Sequence, residues 1–85
     1  MWEDVGYVMA SKYRETILKK LSKKNYMPSI LAKETNLRLS HISRALKELK
    51  IKNLIVCLNN KSKKGKIYSL TDSGKRILEL IEAQL

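Results

Sequence analysis

Apolar residues recur through the first half of the chain at spacings of three and four, the pattern of helices that pack by one face. This spacing predicts a first helix across residues 5–21 and a short second helix over residues 28–35, which begins with a proline. Asn36 tolerates a left-handed backbone and is expected to end the second helix. A third helix is expected over residues 40–50, with Ser40 as its N-cap. Its buried stripe is predicted to consist of Ile42, Ala45, Leu46 and Leu49.

The pattern changes after Asn53, a second candidate for a left-handed turn. Residues 54–58 are apolar, partly β-branched and bounded by polar residues, as strands are, and residues 67–70 resume the same pattern. The stretch between them has turn residues and several lysines, which predicts a β-hairpin with a basic tip. Thr71 is expected to cap a last helix whose apolar residues cover more than one narrow stripe.

The order helix, helix, helix, hairpin, helix, with a tight connection between the second and third helices, predicts a helix-turn-helix followed by a wing. Within it a small residue (Ala32), a turn residue (Asn36) and a β-branched residue (Ile42) stand at suitable spacings. Since 85 residues suffice for one compact domain, residues 1–85 are expected to form a single α+β unit. Its parts are a three-helix core, a β-hairpin wing and an extra C-terminal helix.

Charge points to the class of partner. Lys and Arg number 18 against 8 Asp and Glu, a formal net charge of +10, and residues 36–71 contribute +8 of it with Glu48 as their one acid. A polyanion is therefore expected, nucleic acid first and an anionic membrane surface second. No apolar stretch is long enough to span a bilayer, and the N-terminus lacks a signal-peptide pattern, so a cytoplasmic protein without a membrane partner is expected.

Four stretches of sequence add a family resemblance: residues 11–14, 30–37, 39–49 and 65–71, above all Ser43-Arg44-Ala45-Leu46 and residues 68–71. Over nearly its whole length the chain resembles archaeal winged-helix transcriptional regulators of the broad MarR/ArsR-like group. The resemblance implies that the third helix enters the major groove, that the wing touches the DNA backbone or minor groove, and that dimers bind two-fold sites.

Side-chain chemistry suggests which residues would contact DNA bases and which would contact phosphates. Arg44 can form a bidentate pair with guanine, while the short side chains of Ser40, His41 and Ser43 suit base edges or phosphates. The remaining basic residues of the segment are expected at phosphates. They are Lys47, Lys50 and Lys52 from the third helix onward, Arg38 in the turn, and Lys61, Lys63, Lys64 and Lys66 in the wing.

The terminal helices have apolar residues that either close over the core or pair across a two-fold axis, and a homodimer is the favoured alternative. The predicted seam consists of Val5, Val8, Ile77, Leu78, Ile81 and Leu85.

The pattern of residues does not support catalysis, cofactor binding or metal binding. With one cysteine and one histidine, neither an internal disulfide nor a usual zinc site can form, and Cys57 is expected to be a small core residue. No catalytic constellation or glycine-rich phosphate loop is present, so we expect no enzyme, no cofactor and no metal.

The sequence thus predicts a transcriptional regulator that binds double-stranded DNA sequence-specifically. Two alternatives remain open: a nucleoid-type protein that coats DNA with little base preference, and a winged helix that binds RNA or protein.

Overall fold

The computed structural model describes residues 1–84, which form five helices and a two-stranded antiparallel sheet. The helices are α1 (Trp2–Met9), α2 (Lys12–Leu21), α3 (Pro28–Thr35), α4 (Leu39–Ile51) and α5 (Asp72–Glu82), and the strands are β1 (Ile55–Cys57) and β2 (Tyr68–Leu70). Helices α3 and α4 are the helix-turn-helix, and β1 and β2 are the two arms of the wing. The predicted α+β winged helix-turn-helix is confirmed.

The single helix expected across residues 5–21 is wrong, because the chain breaks into α1 and α2. Ser11 has an extended backbone, and its Oγ accepts a hydrogen bond from the Arg14 amide (3.3 Å), so it caps a new helix. Val8 before the break and Ile17 after it are both fully buried. Since the apolar spacing continues across the break, the periodicity alone did not reveal it.

Two asparagines make the turns around α4, as predicted. Asn36 and Asn53 have left-handed backbones, with φ of 57° and 60°. The expectation that Ser40 caps α4 is wrong: Arg38 occupies the N-cap position without a side-chain hydrogen bond, and Ser40 lies in the first turn. The reason is the tightness of the turn, in which the Leu37 amide donates to the Ala32 carbonyl (3.2 Å) and the helix begins two residues later.

The sheet connects the wing to the entrance of the helix-turn-helix. Strand β1 pairs with β2 in the register Ile55 with Leu70 and Cys57 with Tyr68. On the other side of β2, the Tyr26 amide donates to the Tyr68 carbonyl (3.2 Å) and the Tyr68 amide donates to the Tyr26 carbonyl (2.9 Å). The segment before α3 therefore acts as a third, one-residue strand at the base of the wing.

The core is formed by apolar side chains from every helix and both strands. The predicted stripe of α4 is buried, and so is Cys57, as expected for a small core residue. None of the helices within residues 1–84 is both long and apolar enough to cross a membrane.

The predicted dimer seam needs a correction. Five of its six residues are at most 4% exposed and lie in the core of the single chain: Val5, Val8, Ile77, Leu78 and Ile81. Helix α1 packs against α5, so these side chains close over one core and are not available at the surface. The sixth, Leu85, lies outside the described residues.

Candidate nucleic-acid interface

Helix α4 is apolar on its inner face and polar on its outer face, as predicted for a recognition helix. Its inner face is fixed against α2 and α3 by the buried stripe. Four of the side chains expected to contact DNA are exposed on the opposite side: Ser40, Ser43, Arg44 and Lys47. This arrangement leaves the polar face of a rigidly held helix free for a ligand.

His41 lies on the same helix but is half-buried, because its ring stacks on Tyr13 of α2. The two ring centroids are 4.8 Å apart and the planes are inclined by 13°. Tyr13, His41 and Arg44 line one shallow cleft, so the stacked pair lies beside the exposed arginine. Tyr13 was not among the predicted site residues, since nothing in the sequence relates residue 13 to residue 41.

The one acid of the basic segment, Glu48, is neutralised from outside that segment. Arg14 of α2 bonds to it, with 3.1 Å between Nη1 and Oε1. The same guanidinium lies over the Tyr7 ring at 3.8 Å, and its Nε donates to the Tyr7 carbonyl (2.8 Å). At 13% exposure the Arg14 side chain is held among α1, α2 and α4. It compensates the negative charge of Glu48 on α4, a role that sequence reasoning missed.

The basic residues divide into those with carboxylate partners and those without. Within residues 1–84, ion pairs involve Arg14, Lys19, Lys20 and Lys52. Lys50 has no carboxylate partner in that part of the chain either, but its ammonium bonds to Asn60. We call the other cations predicted to contact DNA the interface cations, and none of them has a carboxylate within 4.0 Å among residues 1–84. They are Arg38, Arg44, Lys47, Lys61, Lys63, Lys64 and Lys66.

Two predicted phosphate contacts have neighbours within the protein. The Lys52 ammonium lies 3.9 Å from the Asp4 carboxylate and 5.0 Å from the centre of the Tyr7 ring. The Lys50 ammonium donates to the Asn60 side-chain oxygen at 2.9 Å. Both ammonium groups are therefore directed toward other parts of the chain.

The wing tip, residues 59–66, follows a ladder of only three paired residues. Lys61, Lys63 and Lys64 are exposed on it, and Lys66 is half-buried. Gly65 has a left-handed backbone (φ 66°), which glycine adopts without strain. The tip thus presents a cluster of positive charge beyond the end of the sheet.

A polar cluster at the other end of the motif fixes α3. The Glu34 carboxylate accepts hydrogen bonds from the Lys20 ammonium (3.1 Å) and the Tyr26 hydroxyl (2.9 Å). The bond from Lys20 holds the pKa of Glu34 below its usual value, and Glu34 in turn raises the pKa of both Lys20 and Tyr26. The cluster ties α3 to α2 and to the base of the wing.

Tyr68, at the base of the wing, is half-buried. Burial raises its pKa, and the nearby Cys57 adds to the rise. The Tyr68 side chain packs against the core at the base of the wing. No three His, Cys, Asp or Glu side chains of residues 1–84 come together as a metal site.

Comparison with known proteins relates this geometry to a family. A family model described as winged helix-turn-helix matches residues 14–84. No curated protein matches the sequence.

Solved structures resemble the chain over most of its length. A PadR family transcription regulator from Clostridium difficile is 30% identical, with a TM-score of 0.76, and the match covers 87% of this chain and 86% of that one. A MarR family transcription regulator is 26% identical with a TM-score of 0.78, and the match covers 87% of this chain and 50% of that one. The chain thus spans about half the length of that MarR protein.

A structure of Lactococcus lactis ZitR in complex with DNA has the same fold, with a TM-score of 0.72 at 20% identity over 87% of this chain and 51% of that one. The fold, the helix-turn-helix geometry and the match over residues 14–84 agree. The chain therefore belongs to the winged helix-turn-helix family.

Proposed function

We propose that this protein is a transcriptional regulator that binds double-stranded DNA sequence-specifically, with α4 in the major groove and the wing on the backbone or minor groove. The observation that supports this most directly is the set of interface cations. They lie in the turn, on α4 and in the wing, and they lack carboxylate partners within residues 1–84. Such charges are free to replace the counterions of a phosphate backbone.

The dimensions of α4 agree with this role. An α-helix with its side chains is about 10–12 Å wide, and the major groove of B-DNA is about 12 Å wide. With 13 residues, α4 is long enough to follow several base pairs. Its inner face is held by core packing, so the outer side chains have a defined orientation.

Arg44 is the proposed base contact, because an exposed arginine near the start of such a helix can pair with guanine O6 and N7. Ser40, His41 and Ser43 would lie beside it at bases or phosphates. Lys47, one turn further along, would meet a phosphate. Arg44 and Lys47 are both exposed, but Arg44 is proposed to contact a base and Lys47 a phosphate. They are therefore a matched pair for mutagenesis.

Replacing Arg44 by alanine is expected to reduce sequence preference. A duplex enriched from a random pool would be compared with a scrambled duplex of equal length, and the ratio of the two dissociation constants measured at fixed salt. The ratio is expected to fall by about 10- to 100-fold, the effect of one lost bidentate base contact. In the control, Lys47→Ala is expected to weaken binding to both duplexes alike.

Other results of this experiment point to the alternative functions. If no sequence is enriched and the two variants weaken binding equally on both duplexes, the protein coats DNA without reading it. If structured RNA competes better than duplex DNA, the major-groove proposal is overturned, because the deep, narrow groove of A-form RNA does not admit a helix.

We also propose that the chain acts as a homodimer, since helix-turn-helix proteins commonly read two half-sites about 34–36 Å apart. We place the contact at the outer face of α1, where Trp2 is 63% exposed and Met9 and the preceding Met1 are also exposed. Such a concentration of apolar side chains on one short helix is typical of a contact surface.

Light scattering is expected to give twice the chain mass of 9.8 kDa, and Trp2→Ala is expected to shift the protein toward the monomer. Leu58→Ala is the control, because Leu58 is exposed to a similar extent (58%) but follows β1 in the wing. A monomer mass for the unsubstituted protein at working concentration would rule the homodimer out.

A further inference from the structure

We propose that Asn59 and Asn60 are positioning residues that hold the wing tip in a fixed orientation relative to α4. The first closes the hairpin tip and the second attaches it to the recognition helix. The consequence for DNA binding rests on the proposed function, whereas the hold itself is a property of the free protein.

The wing tip needs such a hold because the sheet gives it little support. Strands β1 and β2 have three residues each, and beyond them the Leu58 amide donates to the Ile67 carbonyl (2.8 Å). Two-stranded hairpins are marginally stable on their own in water. The four lysines of the tip also repel one another, which favours an open loop.

Asn59 spans the tip from one side of the hairpin to the other. Its side-chain oxygen accepts from the Ile67 amide (2.7 Å) and from the Cys57 thiol (3.6 Å), and its side-chain nitrogen donates to the Gly65 carbonyl (2.9 Å). Its backbone carbonyl accepts from the Ser62 amide (2.9 Å). One half-buried side chain thus replaces the ladder that the strands do not provide.

Asn60 connects the closed tip to α4 through the bond from the Lys50 ammonium (2.9 Å). This contact changes the role of Lys50. Its charge is directed at the wing, so Lys50 is assigned to positioning, whereas sequence reasoning expected it at a phosphate. The recognition helix and the basic tip are joined by side chains ten residues apart in sequence.

Holding the tip in place lowers the loss of conformational entropy when the protein binds DNA. A tip that is already ordered loses less freedom when its lysines meet phosphates, and the distance between the two DNA-contacting elements is preset. Loss of the hold is therefore expected to weaken binding on every sequence. The number of phosphate contacts, which sets the salt dependence, is expected to stay the same.

The first test needs no DNA. Amide hydrogen exchange of the free protein is measured for Asn59→Ala, and the Ile67 and Ser62 amides are expected to exchange faster while the α4 amides do not change. Gln84→Ala, which removes an exposed amide side chain beyond the end of α5, is the control. If the Ile67 amide exchanges at the same rate in Asn59→Ala and in the unsubstituted protein, Asn59 does not hold the tip.

The second test compares dissociation constants across a salt series. Asn59→Ala and Asn60→Ala are each expected to weaken binding about 3- to 10-fold, with an unchanged slope of log affinity against log salt. Lys61→Ala, the comparison variant, is expected to reduce the slope by about one, as the loss of a phosphate contact does.

A double-mutant cycle decides whether Lys50 positions the wing through Asn60 or contacts a phosphate. If it acts through Asn60, the variant with both Lys50→Met and Asn60→Ala binds no more weakly than Lys50→Met alone. If Lys50→Met reduces the slope by about one and Asn60→Ala has no effect, Lys50 is a phosphate contact and the attachment to α4 is overturned. Absence of duplex binding by the unsubstituted protein would contradict the proposed function, and the exchange measurement would still decide whether Asn59 holds the tip.

Discussion

Replacing Gly74 by alanine is expected to remove a large part of the stability of the fold. A Cβ at this position in the first turn of α5 would lie 2.1 Å from the Leu54 carbonyl oxygen and 2.7 Å from a methyl carbon of Leu70. The leucine side chain can move, but the carbonyl is backbone and accepts a hydrogen bond from the Thr71 amide (3.1 Å). Helix α5 would therefore have to shift away from the base of the wing.

The size of the effect follows from the core that α5 helps to close. Overpacking by one carbon costs about 1–3 kcal/mol where side chains can adjust, and a clash with fixed backbone costs more. We expect the free energy of unfolding to fall by about 3–5 kcal/mol, out of about 4–13 kcal/mol for a domain of this size. Urea unfolding followed by circular dichroism measures the change.

Gly6→Ala is the matched control, since Gly6 is also helical but its Cβ would meet nothing within 4 Å. Alanine there is expected to be neutral or to stabilise the protein by up to about 1 kcal/mol. If Gly74→Ala unfolds at the same urea concentration as the unsubstituted protein, α5 does not approach the Leu54 carbonyl as closely as described.

The parts of the fold that could be predicted from the sequence are those decided by local chemistry. Pro28 at the start of α3 and the left-handed Asn36 and Asn53 act within one turn of chain, and the buried stripe of α4 follows from its periodicity. The break at Ser11 escaped prediction because the apolar spacing continues across it. Local signals locate elements better than their boundaries.

The parts of the site that escaped prediction depend on residues distant in sequence. Charge counting located the basic segment, but only the fold brings Arg14 to Glu48, 34 residues away. In the same way, the apolar spacing of Val5 and Ile77 indicated burial and not the surface against which they are buried. Tertiary contacts therefore decide which charged side chains are paired and which apolar side chains are buried.

Raising the salt concentration from 50 to 200 mM is expected to weaken DNA binding by about 10³- to 10⁵-fold. Each cation that meets a phosphate releases condensed counterions, and the slope of log affinity against log salt is about −0.9 for each contact. If all seven interface cations make such contacts, the slope is about −6. Fluorescence anisotropy with a labelled duplex at four or more salt concentrations measures it.

The three exposed lysines of the wing are expected to account for about half of that slope. A variant with Lys61, Lys63 and Lys64 all replaced by glutamine is expected to have a slope smaller in magnitude by about three. Its control is a variant with Lys23, Lys75 and Arg76 replaced by glutamine, which loses the same charge from exposed positions outside α4 and the wing. Because that control lowers the net charge equally, a general electrostatic attraction would reduce both slopes alike. Equal slopes for the two variants would therefore contradict a DNA contact at the wing, and a flat salt response of the unsubstituted protein would contradict DNA binding itself.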